Sequence, residues 1–191
     1  MQELEQKVLV SLQEFLRCRE NLQHHTGTVG DRYVQVNYYF DTPDFALASQ
    51  HCMLRVRRKK NALYLQFKTK RTRNGSLFLC EESEAELSEF PKTVNPSHYF
   101  SQAPDVECSL LGDLVTDRTD FTFPGGVVSL DENVYLGHTD YEIEIEGDQD
   151  AIERIAAFLN PVGESDQGVG KFSRFLRAYK RYLSPHEGAS V

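Results

Sequence analysis

The strongest constraint on the fold of this chain is an alternation of charged and apolar residues that recurs in several short stretches. Residues 141–146 read Tyr-Glu-Ile-Glu-Ile-Glu, and residues 54–57 read Leu-Arg-Val-Arg. Because successive side chains of a β-strand point to opposite faces, such a stretch predicts a strand with one charged and one apolar face. Eight segments are predicted as strands: residues 3–10, 33–40, 53–58, 62–70, 76–86, 118–123, 128–131 and 141–146.

Helices are expected to frame these strands rather than to alternate with them. Ser11 followed by Glu14 is a capping box, which predicts a helix to about Leu22 and then a loop at residues 24–31. Further amphipathic helices are predicted at residues 148–159 and 172–183, and a loop or helical insertion at residues 97–114. This order indicates an α+β fold, an antiparallel sheet or an eight-stranded antiparallel β-barrel with flanking helices.

Length and composition limit what the chain can be. Its 191 residues, 40% of them hydrophobic, fit one domain at residues 1–185 with a C-terminal tail at 186–191. A formal charge of −8 argues against a general nucleic-acid binder. No apolar run reaches the roughly 20 residues of a membrane span and no basic leader is present, so a cytoplasmic protein without a membrane partner is expected. The four cysteines lack metal-binding spacing and are expected to be reduced.

Acidic and basic residues are segregated along the chain. Nine Lys or Arg residues and no Asp or Glu lie between Leu54 and Cys80, whereas residues 131–150 are strongly acidic. Charged strand faces usually meet solvent, with the apolar faces on the core. A closed barrel would instead hold them in its lumen, and the alternation alone does not decide between these two arrangements.

The types of charged residue favour a bound polyphosphate with a metal ion, which needs both oxygen ligands and cations. Carboxylate oxygens suit Mg²⁺ or Mn²⁺, and the candidates are Glu3, Glu5, Glu142 and Glu144. Cationic side chains neutralise phosphate oxygens, and the candidates are Lys7, Arg55, Arg57, Lys68 and Arg118.

A series of short motifs resembles, in the same order, those of the CYTH or triphosphate tunnel metalloenzyme family. Glu-x-Glu-x-Lys at residues 3–7 is followed by Tyr-Phe-Asp-Thr at 39–42 and Leu-Arg-x-Arg at 54–57. The later motifs are the lysine strand at 65–68, Leu-Asp at 130–131 with Leu-Gly at 136–137, Glu-Ile-Glu at 142–144 and Lys-Phe-Ser-Arg at 171–174. Each motif alone is weak, but their order covers most of the chain.

The resemblance implies an eight-stranded tunnel whose charged faces point inward and whose apolar outer faces are covered by helices. It implies metal ligands at Glu3, Glu5, Glu142 and Glu144, with Asp131 either holding a metal or ordering the basic residues. It implies triphosphate contacts, and so catalytic roles, for Lys7, Arg55, Arg57, Lys68, Arg118 and Lys171. Four further candidates could equally be solvated at the rim: Glu82, Glu84, Glu146 and Arg174. Exposed hairpin tips are expected to hold Arg58, Lys59, Lys60, Arg71 and Arg73, and a loop to hold His24 and His25.

The expected activity is metal-dependent hydrolysis of inorganic triphosphate, or of a small organic triphosphate such as thiamine triphosphate, with one ion orienting the substrate and a second positioning the attacking water. Three alternatives stay open. One is a class IV adenylate cyclase that makes cyclic AMP from ATP, and another is a module that only binds polyphosphate or nucleotide. The third, an RNA binder that uses residues 55–73 with Tyr64 and Phe67 for stacking, is disfavoured by the acidic charge. Both a monomer and a homodimer are compatible with the sequence.

Overall fold

The computed structural model describes residues 2–74, 77–165 and 170–183, without the side chains of residues 2, 3, 70–80, 164 and 165. The strands are β1 (Gln2–Val10), β2 (Asp31–Asp41), β3 (Cys52–Lys59), β4 (Ala62–Asn74), β5 (Leu77–Leu87), β6 (Thr93–Val94), β7 (Cys108–Phe123), β8 (Gly126–Tyr135), β9 (His138–Gly147) and β10 (Gly163–Ser165). The helices are α1 (Leu12–Thr26), α2 (Ala46–Ser49), α3 (Gln149–Leu159) and α4 (Lys171–Leu183). The predicted α+β class with a mainly antiparallel sheet is confirmed.

Eight strands follow one another in a barrel-like circuit. The order is β1, β5, β4, β3, β2, β7, β8 and β9, all paired antiparallel. Strand β1 also pairs with β9, from Glu5 opposite Glu146 to Val10 opposite Tyr141, which joins the two ends of this order. The charged faces of the strands are thereby brought to the inside, around a tunnel.

The apolar faces of β7, β8 and β9 point outward and pack beneath two helices. Phe121, Leu130 and Ile143 are buried there, and each alternates with charged or polar neighbours on its strand. Helix α1 begins at the predicted N-cap, where Ser11 accepts a hydrogen bond from the Glu14 amide. Burial of this continuous apolar layer is the main favourable contribution to folding on this side of the molecule.

Helix α1 is longer than the capping box and apolar spacing predicted. It ends at Thr26, with Gly27 in the left-handed conformation, so the predicted loop for His24 and His25 is wrong. The reason is packing, because the imidazole of His25 stacks on Phe123 at 5.7 Å and contacts Phe158 at 4.5 Å between ring centroids. None of the helices in the described part of the chain has the length and apolarity required to cross a membrane.

A second outer cluster lies over β2, β3 and β4 and is covered mostly by an irregular segment that contains a 3-10 helix at Pro96–His98. Val94, Phe100 and Cys108 from residues 93–108 are buried against Phe40 and Phe67. The insertion predicted at residues 97–114 therefore ends earlier, since β7 already begins at Cys108. Its first residues lack the alternation expected of a strand because the β2–β7 register shifts between Tyr39 and Phe40.

Helix α4 does not cover an outer face, which corrects the expectation that the helices would do so. Its residue Phe175 is fully buried against Tyr39, Met53 and Leu114, which lie on inward-facing sides of β2, β3 and β7. Helix α4 thus lies against the tunnel and contributes its first residue, Lys171, to the interior.

Candidate active site in the charged tunnel

A cavity of about 820 Å³ runs between the inward strand faces and helix α4. Its lining includes both signs of charge, from six strands and the helix. The charged lining residues that were predicted from the sequence are Glu5, Lys7, Arg55, Arg57, Lys68, Glu82, Glu84, Arg118, Glu144, Glu146 and Lys171. This volume lies in the upper part of the roughly 300–1,000 Å³ range typical of small-molecule sites.

Arg55 is buried and is oriented by a chain of polar contacts across three strands. Its Nε donates to Gln66 Oε1 at 2.6 Å, and Gln66 Nε2 donates to Glu84 Oε2 at 2.6 Å. A second carboxylate, Glu82, lies 3.7 Å from an Arg55 guanidinium nitrogen. The chain follows from strand register, because Arg55 lies opposite Gln66 and Gln66 opposite Glu84. This register also explains the inward position of Glu84.

Arg57 lies beside Arg55 on the same face of β3 but has a different environment. Its Nε donates to Asn37 Oδ1 at 3.0 Å, and it forms no ion pair with any carboxylate of the described residues. Burial, followed by the nearby charges of Arg55 and Arg118, lowers the pKa of Arg57 to about 9. A cation enclosed in this way favours an anion in the adjoining cavity.

Lys68 and Glu82 form an ion pair directly opposite each other on β4 and β5. Burial acts to raise the pKa of Glu82, but the charges of Arg55 and Lys68 outweigh it and hold that pKa below the ordinary value. Glu82 therefore stays ionised and balances two cations of the cavity wall.

Strand β1 contributes one carboxylate and one ammonium to the cavity. Lys7 Nζ lies 3.0 Å from Glu5 and 3.4 Å from Glu144 on the adjacent strand β9. Burial acts to lower the pKa of Lys7, yet Glu144 and Glu5 hold it well above its ordinary value. Lys7 is thus charged while a phosphate is absent, when the two glutamates compensate for it.

Arg118 is held in place by Asp131, which lies opposite it on β8. Arg118 Nε and one of its terminal nitrogens each donate to Asp131 at 2.7 Å, and the same terminal nitrogen lies 3.4 Å from Glu144. Bidentate pairing fixes the guanidinium plane more firmly than a single contact would. Asp131 is fully buried behind the lining, so it orders Arg118, one of the two roles expected for it.

Lys171 places its ammonium among three carboxylates. Its Nζ lies 2.8 Å from Asp131 and 3.4 Å from Glu144, and it also pairs with Glu142. Burial acts to lower the pKa of Lys171, but these three carboxylates raise it to about 12. The next turn of α4 adds Arg174, which donates to Asp140 at 2.8 Å and pairs with Glu142 at 2.8 Å.

The three carboxylates around Lys171 also have the chemistry of ligands for a divalent ion. Asp131, Glu142 and Glu144 each offer an oxygen, and all three oxygens lie within 4.8 Å of one another. Such all-oxygen sets are preferred by Mg²⁺ and Mn²⁺. The residues therefore fit a divalent ion, on the condition that the ammonium of Lys171 gives up its place among them.

The predicted site residues fall into three groups. The first group consists of the lining residues listed above, whose side chains face the interior. It includes Glu82, Glu84 and Glu146, for which a solvated position at the rim was the alternative. Asp131, Glu142 and Arg174 are buried just behind the lining. Glu3 pairs through its backbone with Cys80 on β5, and its side chain lies outside the described residues, as do those of Arg71 and Arg73.

Sequence reasoning missed an apolar and aromatic wall on the side of α4. It consists of Tyr39, Ala48, Met53, Phe172 and Leu176. Tyr39 packs its ring on Phe172 at 5.0 Å, and its buried hydroxyl has no hydrogen-bond partner among the described residues. The period-two pattern offered a signal for two of these wall residues. Met53 shares a face of β3 with Arg55, and Tyr39 shares a face of β2 with Asn37, the hydrogen-bond partner of Arg57.

Comparisons with known proteins were made against this geometry. The Bacillus subtilis (strain 168) protein named "Putative triphosphatase YjbK" is 32% identical over 150 residues, which is 75% of this chain and 76% of that protein. A crystal structure from Bacillus halodurans, described as a "putative adenylate cyclase", is 28% identical with a TM-score of 0.71, over 91% of this chain and 96% of its own. HpAC1 from Hippeastrum, whose structure is described with a dominant triphosphatase activity, is 23% identical with a TM-score of 0.66, over 97% and 98% of the two chains, and supports the fold alone.

A family model described as the CYTH domain matches residues 1–165, which include every strand of the circuit and all the predicted site residues except those of α4. Together with the relative at 32% identity, this match extends the short motifs to most of the fold. This chain belongs to the CYTH domain family.

Proposed function

We propose that this protein is a metal-dependent triphosphatase that hydrolyses inorganic triphosphate or a small organic triphosphate in its tunnel. The observation that carries the proposal is Arg57, an enclosed guanidinium without a described acidic partner, next to Arg55 and Arg118. Three neighbouring cations match the spread of negative charge along a triphosphate chain. The triphosphatase name of the relative at 32% identity agrees with this assignment.

The residues of the chain would bind and orient the substrate rather than attack it. Five cations of the lining would neutralise phosphoryl oxygens: Arg55, Arg57, Lys68, Lys7 and Arg118. Glu5 and Glu144 face the cavity and, with Asp131 and Glu142 behind, would hold the divalent ion. A bound ion of this kind neutralises phosphate charge and supplies an activated water at neutral pH.

The test is phosphate release from inorganic triphosphate, thiamine triphosphate and ATP, each with Mg²⁺, Mn²⁺ or a chelator. We expect release that requires a divalent ion and is lost in Glu144→Gln. Cyclic AMP should be assayed in the ATP reactions, because its formation would assign the protein to the cyclases instead. Binding of triphosphate without either product would reduce the protein to a binding module.

The apolar wall bears on which triphosphate is used. Met53, Phe172 and Leu176 offer surface that an inorganic triphosphate has no means to cover. A small organic group could cover it while its triphosphate lies on the cations. A higher kcat/KM for thiamine triphosphate than for inorganic triphosphate, lowered selectively by Leu176→Asn, would identify an organic substrate.

A further inference from the structure

Lys171 lies where three carboxylates of the described residues converge on one cation. Within the described residues, Asp131, Glu142 and Glu144 are the group of three acidic ligands whose oxygens approach one another within 4.8 Å. The ammonium of Lys171 contacts all three of them, two at 2.8 and 3.4 Å. It therefore stands where a divalent ion bound by these oxygens would stand.

The local charges make joint occupancy unfavourable. Arg118 already pairs with Asp131 at 2.7 Å, and Arg174 with Glu142 at 2.8 Å. With Lys171, and with Lys7 at 3.4 Å from Glu144, four cations therefore face three carboxylates. A divalent ion added among these oxygens would lie within a few ångströms of an ammonium in a poorly solvated interior, where like charges repel strongly. The ammonium and the ion should compete for one place.

The structure leaves Lys171 a second position. It is the first residue of α4 and lines the cavity, so its flexible four-carbon stem lets the ammonium turn while only the first turn of the helix loses the anchor that the carboxylates provided. The residue before it, Gly170, has no heavy atom within 4 Å of the place where a Cβ would be. Deeper in the helix, Arg174 on Asp140 and the buried Phe175 keep α4 docked.

We propose that Lys171 serves as the stand-in cation of the metal-free protein. It keeps three carboxylates together and neutralised, and yields its place when a divalent ion binds. Its ammonium then turns into the cavity, where it meets the triphosphate. Metal loading thus converts Lys171 from a partner of carboxylates into a partner of phosphate, so that the affinities for ion and substrate are coupled. This inference rests on the proposed function only in its last step, the contact with substrate.

The first test measures Mn²⁺ binding by calorimetry with no triphosphate present. Lys171→Met removes the competing charge, so we expect its dissociation constant for Mn²⁺ to fall by about tenfold or more relative to wild type. Lys171→Arg keeps the charge and should stay close to wild type. Arg181→Met, an exposed position on the same helix, controls for the loss of a positive charge from α4. Equal affinity in Lys171→Met and wild type would overturn the proposal.

The second test uses the wild-type protein and does not depend on any variant folding. Hydrogen exchange of the Arg174 amide, which bonds to the Gly170 carbonyl at 3.1 Å, reports on the first turn of α4. We expect Mn²⁺ to speed this exchange while the last turn is unchanged, and an unaltered first turn would overturn the proposal. Because neither test uses turnover, failure of the triphosphatase assay with both results intact would reject the proposed function and leave the exchange of cations standing.

Discussion

Arg57 and Asn37 lie directly opposite each other on β3 and β2, and the Arg57 Nε donates to Asn37 Oδ1 at 3.0 Å. An amide oxygen orients the guanidinium without cancelling its charge. Arg55, two residues earlier on β3, instead has a guanidinium nitrogen 3.7 Å from the carboxylate of Glu82. The difference leaves Arg57 as the cation of this strand that is set up for an external anion.

We expect Arg57→Met to lower kcat/KM for triphosphate by about 100-fold or more, because a preorganised cation at the phosphoryl oxygens is lost. The same variant should stay close to wild-type stability, since removal of an enclosed charge that has no described acidic partner offsets the loss of the hydrogen bond to the buried Asn37. Steady-state kinetics measure the change in kcat/KM, and thermal unfolding measures the change in stability. Arg58→Met, at an exposed neighbouring position, is the control, and equal kinetics in the two variants would contradict the role of Arg57.

Tyr39→Phe tests the buried hydroxyl of a residue that lines the cavity. Since this hydroxyl has no hydrogen-bond partner among the described residues, its removal should not lower the melting temperature. If the hydroxyl meets a phosphate oxygen or the attacking water, as its place in the lining leads us to expect, kcat/KM should fall about tenfold. Tyr38→Phe, on the opposite strand face, should change neither quantity. A Tyr39→Phe enzyme with wild-type kinetics would remove this residue from the site.

Glu14 should contribute to the way the free energy of unfolding changes with pH. Hydrogen bonds from Arg17, and a further one from the Val162 amide at 2.7 Å, lower the pKa of Glu14 to about 2. A folded-state pKa below the unfolded value of 4.5 means that its stabilisation is present above pH 4.5 and is lost as the pH falls toward 2. Glu14→Gln should therefore cost about 1 kcal/mol at pH 7 and progressively less in acid.

The measurement is the free energy of unfolding from urea titrations between pH 2.5 and pH 7. Glu20→Gln, at an exposed position of the same helix, provides the matched control. A constant difference between wild type and Glu14→Gln across this range would show that the carboxylate does not carry the effect.

Thiol reactivity should separate the described cysteines. Burial raises the pKa of Cys18 to about 11 and that of Cys108 to about 12, so both should resist iodoacetamide at pH 8 in the folded protein. Cys52 is half-buried at the cavity wall and should be alkylated slowly, because its pKa is also raised. Peptide mass spectrometry before and after denaturation gives each rate, and rapid labelling of Cys18 in the native state would contradict the packing under α1.

The strands could be predicted because their alternation is regular, but the direction of their faces could not. Alternating charge is equally compatible with a solvated sheet, and the pairing of Lys7 with Glu144 on β9 is what turns these side chains inward. Alternation did not decide between a solvated sheet and a closed barrel. The order of the motifs did, because it indicated a family whose fold is a tunnel. Fold class and family are confirmed, while the roles of individual side chains stay predictions.

Two features depended on contacts between distant segments. Four glutamates compete for the inward positions of residues 81–86. The pairing of β4 with β5 puts Glu82, Glu84 and Glu86 on the same face, and of these Glu82 and Glu84 line the cavity. Helical spacing on α4 identified an apolar side with Phe172 and Phe175, but it carries no information on where the helix packs. The part of the apolar wall that lies on α4 and the carboxylate contacts of Lys171 were therefore beyond prediction.

The position of β1 in the circuit has a consequence for how the protein acquires its structure. This strand precedes the others in the sequence, and although its first residues pair with β5, Lys7 meets its neighbour Glu144 only when β9 is in place. Pairing across such a separation in sequence slows folding. During synthesis on the ribosome the second half of β1 has no partner from the circuit until β9 emerges, so closure of the circuit and assembly of the site should occur together, as a late and cooperative event.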